Sequence, residues 1–147
     1  MDIHELLAED RELIVEDAWR SVVLLTHYQR DGKEATRQRL ELLFDHVARA
    51  IRERDLGELL DYADGIAMQR FEASFDLGEV QSAFFMLEEA IGRRVLTRIP
   101  APELAEALGL VGTAIRRGKD AFARAYVSLA NRERAPSLDL SDLFKGT

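Results

Sequence analysis

The chain has 147 residues, 47% apolar and 32% charged, with 27 acidic against 20 basic side chains and no cysteine. One domain of this length buries roughly 68–70% of its unfolded surface, so the composition describes a globular helical chain, not a disordered one. A net charge of −7 argues against nucleic-acid binding, which concentrates Lys and Arg on one face, and the lack of thiols excludes disulfides, thiolate metal sites and cysteine nucleophiles.

A first helix is expected over about 3–28. Ile3, Leu6, Leu7, Ile14, Ala18, Val22 and Leu25 recur at helical spacing, with Trp19 beside them. A break near Asp10 would set off a short lead-in helix. Arg30, Asp31 and Gly32 supply a turn, in which Gly32 can take a positive φ. The second helix is expected over about 33–54, with Leu40, Leu43, Phe44, Val47 and Ile51 on one side and Arg37, Glu41, Arg49 and Arg52 on the other. Asp55 reads as the next N-cap, with Glu58 three residues on. The third helix then runs to about 73, burying Leu59, Leu60, Ala63, Ile66, Ala67 and Phe71. Gly65 inside it costs about 1 kcal/mol relative to Ala; it is either merely tolerated or permits a close helix approach.

Asp76 and Glu79 repeat the capping signal. The fourth helix follows over about 77–98, burying Val80, Ala83, Phe84, Leu87, Ile91 and Val95. Pro100 and Pro102 stop it and restart the chain. The fifth helix, about 102–132, carries Leu104, Leu108, Val111, Ile115, Phe122, Tyr126 and Leu129. Gly109, Gly112 and Gly118 weaken its middle and invite a bend. The pattern predicts an all-α, single-domain bundle of five to six helices over 1–132, with bundle or globin-like packing and no haem. In the tail, 133–147, Pro136 interrupts the helix. Leu138, Leu140, Leu143 and Phe144 are then mixed with acids and serines. The tail either folds back on the bundle, docks on another protein or subunit, or frays.

Chemistry-bearing patterns are sparse. The histidines, His4, His27 and His46, form no His-x3-His or His-Glu-x-x-His pair and none follows a Glu by three residues. No histidine lies between 64 and 147, where a globin-like haem would need its proximal ligand. There is no Gly-x-Ser-x-Gly and no phosphate-cradling loop. Glu88–Glu89 and Asp61/Asp64 read as solvated carboxylates. Arg93, Arg94, Arg98, Arg116, Arg117 and Lys119 read as solvated helix faces and helix C-terminal charges. The expectation is therefore no enzyme, no cofactor and no metal. No basic, apolar leader opens the chain and no apolar run approaches a membrane span, so a cytoplasmic protein is expected.

Two features remain. Trp19, the single tryptophan, reads first as a structural anchor with its N–H satisfied, and more sharply as part of a ligand cavity or interface. The stretch 68–79 joins two helices through an aromatic corner, where Phe75 should act as a plug and Arg70 and Glu72 should find charged partners. An early Trp19, then Leu59-Leu60-Asp61-Tyr62-Ala63, Arg70, and Phe75-Asp76-Leu77-Gly78-Glu79-Val80 together resemble the helical N-terminal domains of the RsbRD type, the RsbT co-antagonist regulators of bacterial stress signalling. Related domains stand before some sensor kinases and transcription regulators. The last block is similar to that family's Phe-x-Leu-x-Glu helix start, which Phe84 to Ile91 continue, and the likeness spans about 6–129.

The resemblance implies a non-catalytic sensor or scaffold module that binds a protein partner, a signalling kinase or STAS-type protein, as a homodimer. Such domains usually precede an output domain, whereas this chain continues only about fifteen residues past its last helix. A stand-alone adaptor or sensor is therefore expected, with the tail as its docking piece. The expected partner-binding residues are Trp19, Leu138, Leu140, Leu143 and Phe144. The expected dimer faces are the first helix and the helix 77–98. The alternative is a small-molecule sensor whose core holds an apolar cavity of about 300 Å³ or more, lined by Trp19, Phe44, Phe84 and Phe122.

Overall fold

The computed structural model describes residues 1–25 and 32–134. Helix α1 (Ile3–Glu9) starts where the Asp2 carboxylate accepts the Glu5 N–H at 2.9 Å, an N-cap that satisfies one orphan donor. Asp10 closes it by donating its N–H to the Leu6 carbonyl at 2.8 Å, and its own carbonyl accepts from Ile14 at 2.9 Å as α2 (Arg11–Val22) begins. The break expected near Asp10 is present. Helix α2 ends at Val22, short of residue 28, and residues 26–31 lie outside the described part.

Gly32, at φ 93°, stands at the N-cap of α3 (Lys33–Glu53), a conformation that only glycine adopts without strain. Its carbonyl accepts both the N–H and the hydroxyl of Thr36. Arg54, in the left-handed region, ends α3. Helix α4 (Gly57–Glu72) starts later than the Asp55 cap implied: Leu56 holds the cap position, and the Asp55 carboxylate accepts the Gly57 N–H at 2.9 Å. Asp76 does cap α5 (Leu77–Arg98), accepting from Gly78 at 3.1 Å. Helix α6 (Ala101–Arg134) is continuous through its three glycines and about 50 Å long. The described residues thus form six helices, an all-helical bundle.

Helix α6 lies against α4 and α5, while α2 packs between α3 and α5, and α1 closes one end against α3 and α5. The core runs through Leu6, Ile14, Val22, Phe44, Leu59, Phe84, Leu87, Ile91, Ile115 and Phe122, all essentially inaccessible. Two expectations need correction, at Leu60 and Phe71 and at Leu108. Leu60 and Phe71 are only half-buried, and Phe71 meets Tyr126 edge-on at 5.4 Å on the rim. Arg70 is the buried residue of that turn instead, its guanidinium 5.3 Å from the Phe75 ring. Gly65 faces open space. The close approach occurs at Gly118, where an added Cβ would lie 3.3 Å from Phe84 and 3.5 Å from Leu59. Leu108 is exposed, because the long helix α6 turns that position out of the core.

Candidate protein-interaction face

The basic run on α5 is ion-paired with carboxylates of the first two helices and the residue between them. Arg94 and Arg98 both donate to the buried Asp10 carboxylate, at 2.9 and 2.6 Å, and Arg98 also reaches Glu9 at 3.1 Å. Arg93 donates to Asp17 at 2.7 Å. Residue numbers fall along α5 as they rise along α2, so these pairs fix the two helices side by side and antiparallel. Three of the six basic residues read as solvated helix faces are thus also intramolecular ties, while keeping about a third or more of their side-chain surface in water. Of the rest, Arg116 and Lys119 border a surface groove with Glu88, Gly92, Leu108, Val111 and Gly112.

The opposite flank of α2 is tied to α3. Arg11 makes a forked contact with Asp45, at 2.9 and 3.0 Å. Arg37 bonds Glu16, Glu12 and Glu41, and its hydrogen bond holds the Glu16 carboxyl below its ordinary titration range. Helix α2 is thus clamped on both flanks. Its outward side is left as a separate stripe.

That stripe is Leu13, Asp17, Arg20 and Leu24, at spacings of four, three and four residues. It falls on one side of a helix. Val23 keeps helical angles past the end of α2, and the Leu24 N–H bonds the Ser21 carbonyl in a tighter turn that carries the chain on to Leu24. On α5 the outward stripe is Phe85, Glu89, Gly92 and Leu96, with the same spacing. The Asp17–Arg93 pair joins the stripes into one face. Leu13 is 58% exposed, Leu24 73%, Phe85 50% and Leu96 62%. The antiparallel order puts Leu13 and Leu96 at one end, and Leu24 and Phe85 at the other.

Trp19 is half-buried beside this face. Its N–H donates to the Lys33 carbonyl at 3.0 Å, and the Arg37 guanidinium lies 5.6 Å from its ring. It ties α2 to the first turn of α3, the anchor role. Phe75 plugs its corner, and the Tyr126 hydroxyl pins it to α6 by donating to the Phe75 carbonyl at 2.8 Å.

The four residues expected to line one cavity do not converge on any described one. Phe84 and Phe122 pack with ring centroids 6.2 Å apart in the filled core. Phe44 borders an open groove with His4 and Arg11, and Trp19 lines none of the described cavities. The interior crevice beside Phe84, Tyr62 and Arg70 measures about 30 Å³, the share of one water molecule. Burial there pushes the Tyr62 hydroxyl up. The tail residues Leu138, Leu140, Leu143 and Phe144, and His27, lie outside the described part.

His46 stacks on Tyr62 at 4.2 Å, and the buried Nδ1 of His4 has no hydrogen-bond partner. No group of three or more His, Asp or Glu residues among those described gathers to hold a metal ion. No described helix is long and apolar enough to cross a membrane.

Sequence reasoning selected the apolar residues in phase with the core and passed over Leu13, Phe85 and Leu96. The signal that could have found them is an apolar pair eleven residues apart, out of phase with the buried stripe, occurring on both helices. Comparison with protein-family models, with curated proteins and with solved structures finds no match for this chain.

Proposed function

We propose that this chain is a non-catalytic signalling or regulatory module that works by binding protein, a homodimeric sensor or scaffold of the stress-response type that its Trp19-to-Val80 pattern resembles. The observation that carries this reading is the outward face of α2 and α5. A single exposed Leu is ordinary on any protein surface. Four large apolar residues, each at least half exposed and aligned on two clamped helices, form the kind of patch that marks association.

The ion pairs of Asp10, Asp17, Asp45 and Glu16 support the reading, because they hold α2 in place and present the patch pre-formed. Little ordering entropy is then spent on binding. The resemblance supplies the partner class, a signalling kinase or STAS-type protein. Leu138, Leu140, Leu143 and Phe144 supply apolar anchors for it.

The test is calorimetric titration of the full chain with purified kinases and STAS-type proteins of the cell's stress-signalling systems. Saturable binding is expected, with loss when Leu138, Leu140, Leu143 and Phe144 are all replaced by Ser. Absence of binding to every such protein would overturn the reading, as would undiminished binding by the Ser variant.

A further inference from the structure

We propose that the α2–α5 face is covered by a second copy of this chain, packed across a two-fold axis so that α2 meets α2 and α5 meets α5, each pair antiparallel. The proposal rests on the homodimeric reading above and adds the face that the second copy covers and its register.

The two stripes are symmetric end to end. In an isologous contact each residue meets the residue reflected through the axis. An antiparallel pairing requires a stripe that reads alike in both directions. The stripe Leu13, Asp17, Arg20, Leu24 is such a palindrome: its spacings are four, three and four, apolar residues hold both ends, and opposite charges stand inside. Laid on a second copy, Leu13 faces Leu24 and Asp17 faces Arg20. On α5, Phe85 faces Leu96, and Glu89 faces Gly92 with Arg93 beside it.

The Asp17–Arg93 pair, at 2.7 Å, stands within three residues of both midpoints, and with the helices antiparallel it brings the two midpoints to nearly the same height. One axis therefore serves both pairings. Apolar contacts close the two ends, and charges of opposite sign meet at the middle.

Three further observations favour a second copy. The inner charges of the face, Asp17, Arg20, Glu89 and Arg93, sum to zero, although the chain carries −7. Two acidic chains can thus approach here without like charges meeting. Gly92 stands beside the midpoint of the α5 stripe, and among the described residues no side chain lies within 4 Å of where its Cβ would be, so little bulk opposes the Glu89 of a second copy. The face is about 17 Å long between its outer Leu and Phe positions and two helices wide. With side chains it would bury roughly 1,000 Å² in total, the lower bound for a specific interface, which suits a reversible dimer.

The test uses the full chain and its lack of cysteine. Leu13→Cys and Leu24→Cys chains are prepared separately, as are Phe85→Cys and Leu96→Cys chains, and each is oxidised mildly, alone and in pairs. The expected result is a disulfide-linked dimer from mixing Leu13→Cys with Leu24→Cys, and from mixing Phe85→Cys with Leu96→Cys. Little is expected from any one alone. Linkage of Leu13→Cys to Leu96→Cys instead would place α2 over α5 and overturn the register.

Sedimentation velocity supplies the second readout. Wild type should dimerise reversibly, and Leu96→Asp and Leu24→Asp should each weaken the dimer by roughly a hundredfold or more, since each change occurs twice in the contact. These side chains are already exposed, so the helical content of the variants should be unchanged. A monomeric wild type at high micromolar concentration would overturn the proposal, and so would Asp variants that dimerise as tightly as wild type. Partner titration of the Leu96→Asp chain keeps the two proposals apart. A partner bound by a chain that never dimerises sinks this inference alone, whereas a dimer of this register that binds no partner sinks only the assigned partner class.

Discussion

Replacing Asp10 by Ala removes the carboxylate on which three helices converge. Its side chain is 5% exposed and accepts from Arg94 at 2.9 Å and Arg98 at 2.6 Å, while its backbone ends α1 and begins α2. Breaking a fully buried ion pair from one side costs roughly 3–5 kcal/mol. Here both arginines are about a third exposed, and Arg98 keeps Glu9 at 3.1 Å, so each can turn toward water. The discounted cost is about 2 kcal/mol.

Asp10→Asn keeps an acceptor but loses the charge, and charged hydrogen bonds exceed neutral ones by about 1 kcal/mol. The expected order is wild type, then Asn lower by about 1 kcal/mol, then Ala. For a domain of this size 2 kcal/mol corresponds to about 4–8 °C in Tm. Urea unfolding followed by circular dichroism and by Trp19 fluorescence measures it, with Glu9→Gln, an exposed pair member, expected within about 0.5 kcal/mol of wild type. An Asp10→Ala chain as stable as the Glu9→Gln chain would refute the claim that this cluster clamps α5 to α1 and α2.

Four other outcomes are expected. Gly118→Leu should destabilise by about 2–3 kcal/mol through overpacking against Phe84 and Leu59, whereas Gly65→Ala, which meets nothing, should stabilise by up to about 1 kcal/mol; denaturant midpoints measure both. Trp19→Phe loses the N–H bond to the Lys33 carbonyl and should cost about 1 kcal/mol, read from thermal melts. The Glu16 carboxyl titrates lower in the folded chain than in the unfolded one, so its contribution is present above the ordinary carboxylate value and is lost as pH falls; Glu16→Gln should flatten the acid side of the stability profile. The Tyr62 hydroxyl titrates higher when folded, so its contribution is present below the unfolded value of 10.0 and is lost as pH rises through the folded one. Tyr62→Phe should remove that alkaline loss.

Helix existence was legible because the buried stripes of α3 and α5 have the helical period without exception. Capping was legible at Asp76, where a carboxylate, a helix start and a Glu in the first turn agree. It misled at Asp55, where the same residue types occur but the chain passes one more residue before turning helical. The role of a glycine was not legible: Gly65 and Gly118 look alike in sequence, and only the crossing of α4, α5 and α6 makes one open and the other tight.

The charged residues were the least readable. Arg93, Arg94 and Arg98 have the composition of a solvated basic face, and their carboxylate partners lie 76 to 88 residues away. The interaction face was hidden for a related reason. Leu13 and Leu96 stand out only when the core phase is known, since an apolar residue off the buried stripe counts as noise in a periodicity. That the two stripes share one face depends on the pairing of α2 with α5, which no local pattern states.

Hydroxyl-radical footprinting of the intact chain, read residue by residue across a dilution series, tests most directly whether the α2–α5 face is where this protein associates. Leu13, Leu24, Phe85 and Leu96 should lose reactivity together as concentration rises, while Leu42 and Met68, comparably exposed on α3 and α4, stay constant. Labelling of Leu13, Leu24, Phe85 and Leu96 that stays unchanged across the dilution series would contradict the account.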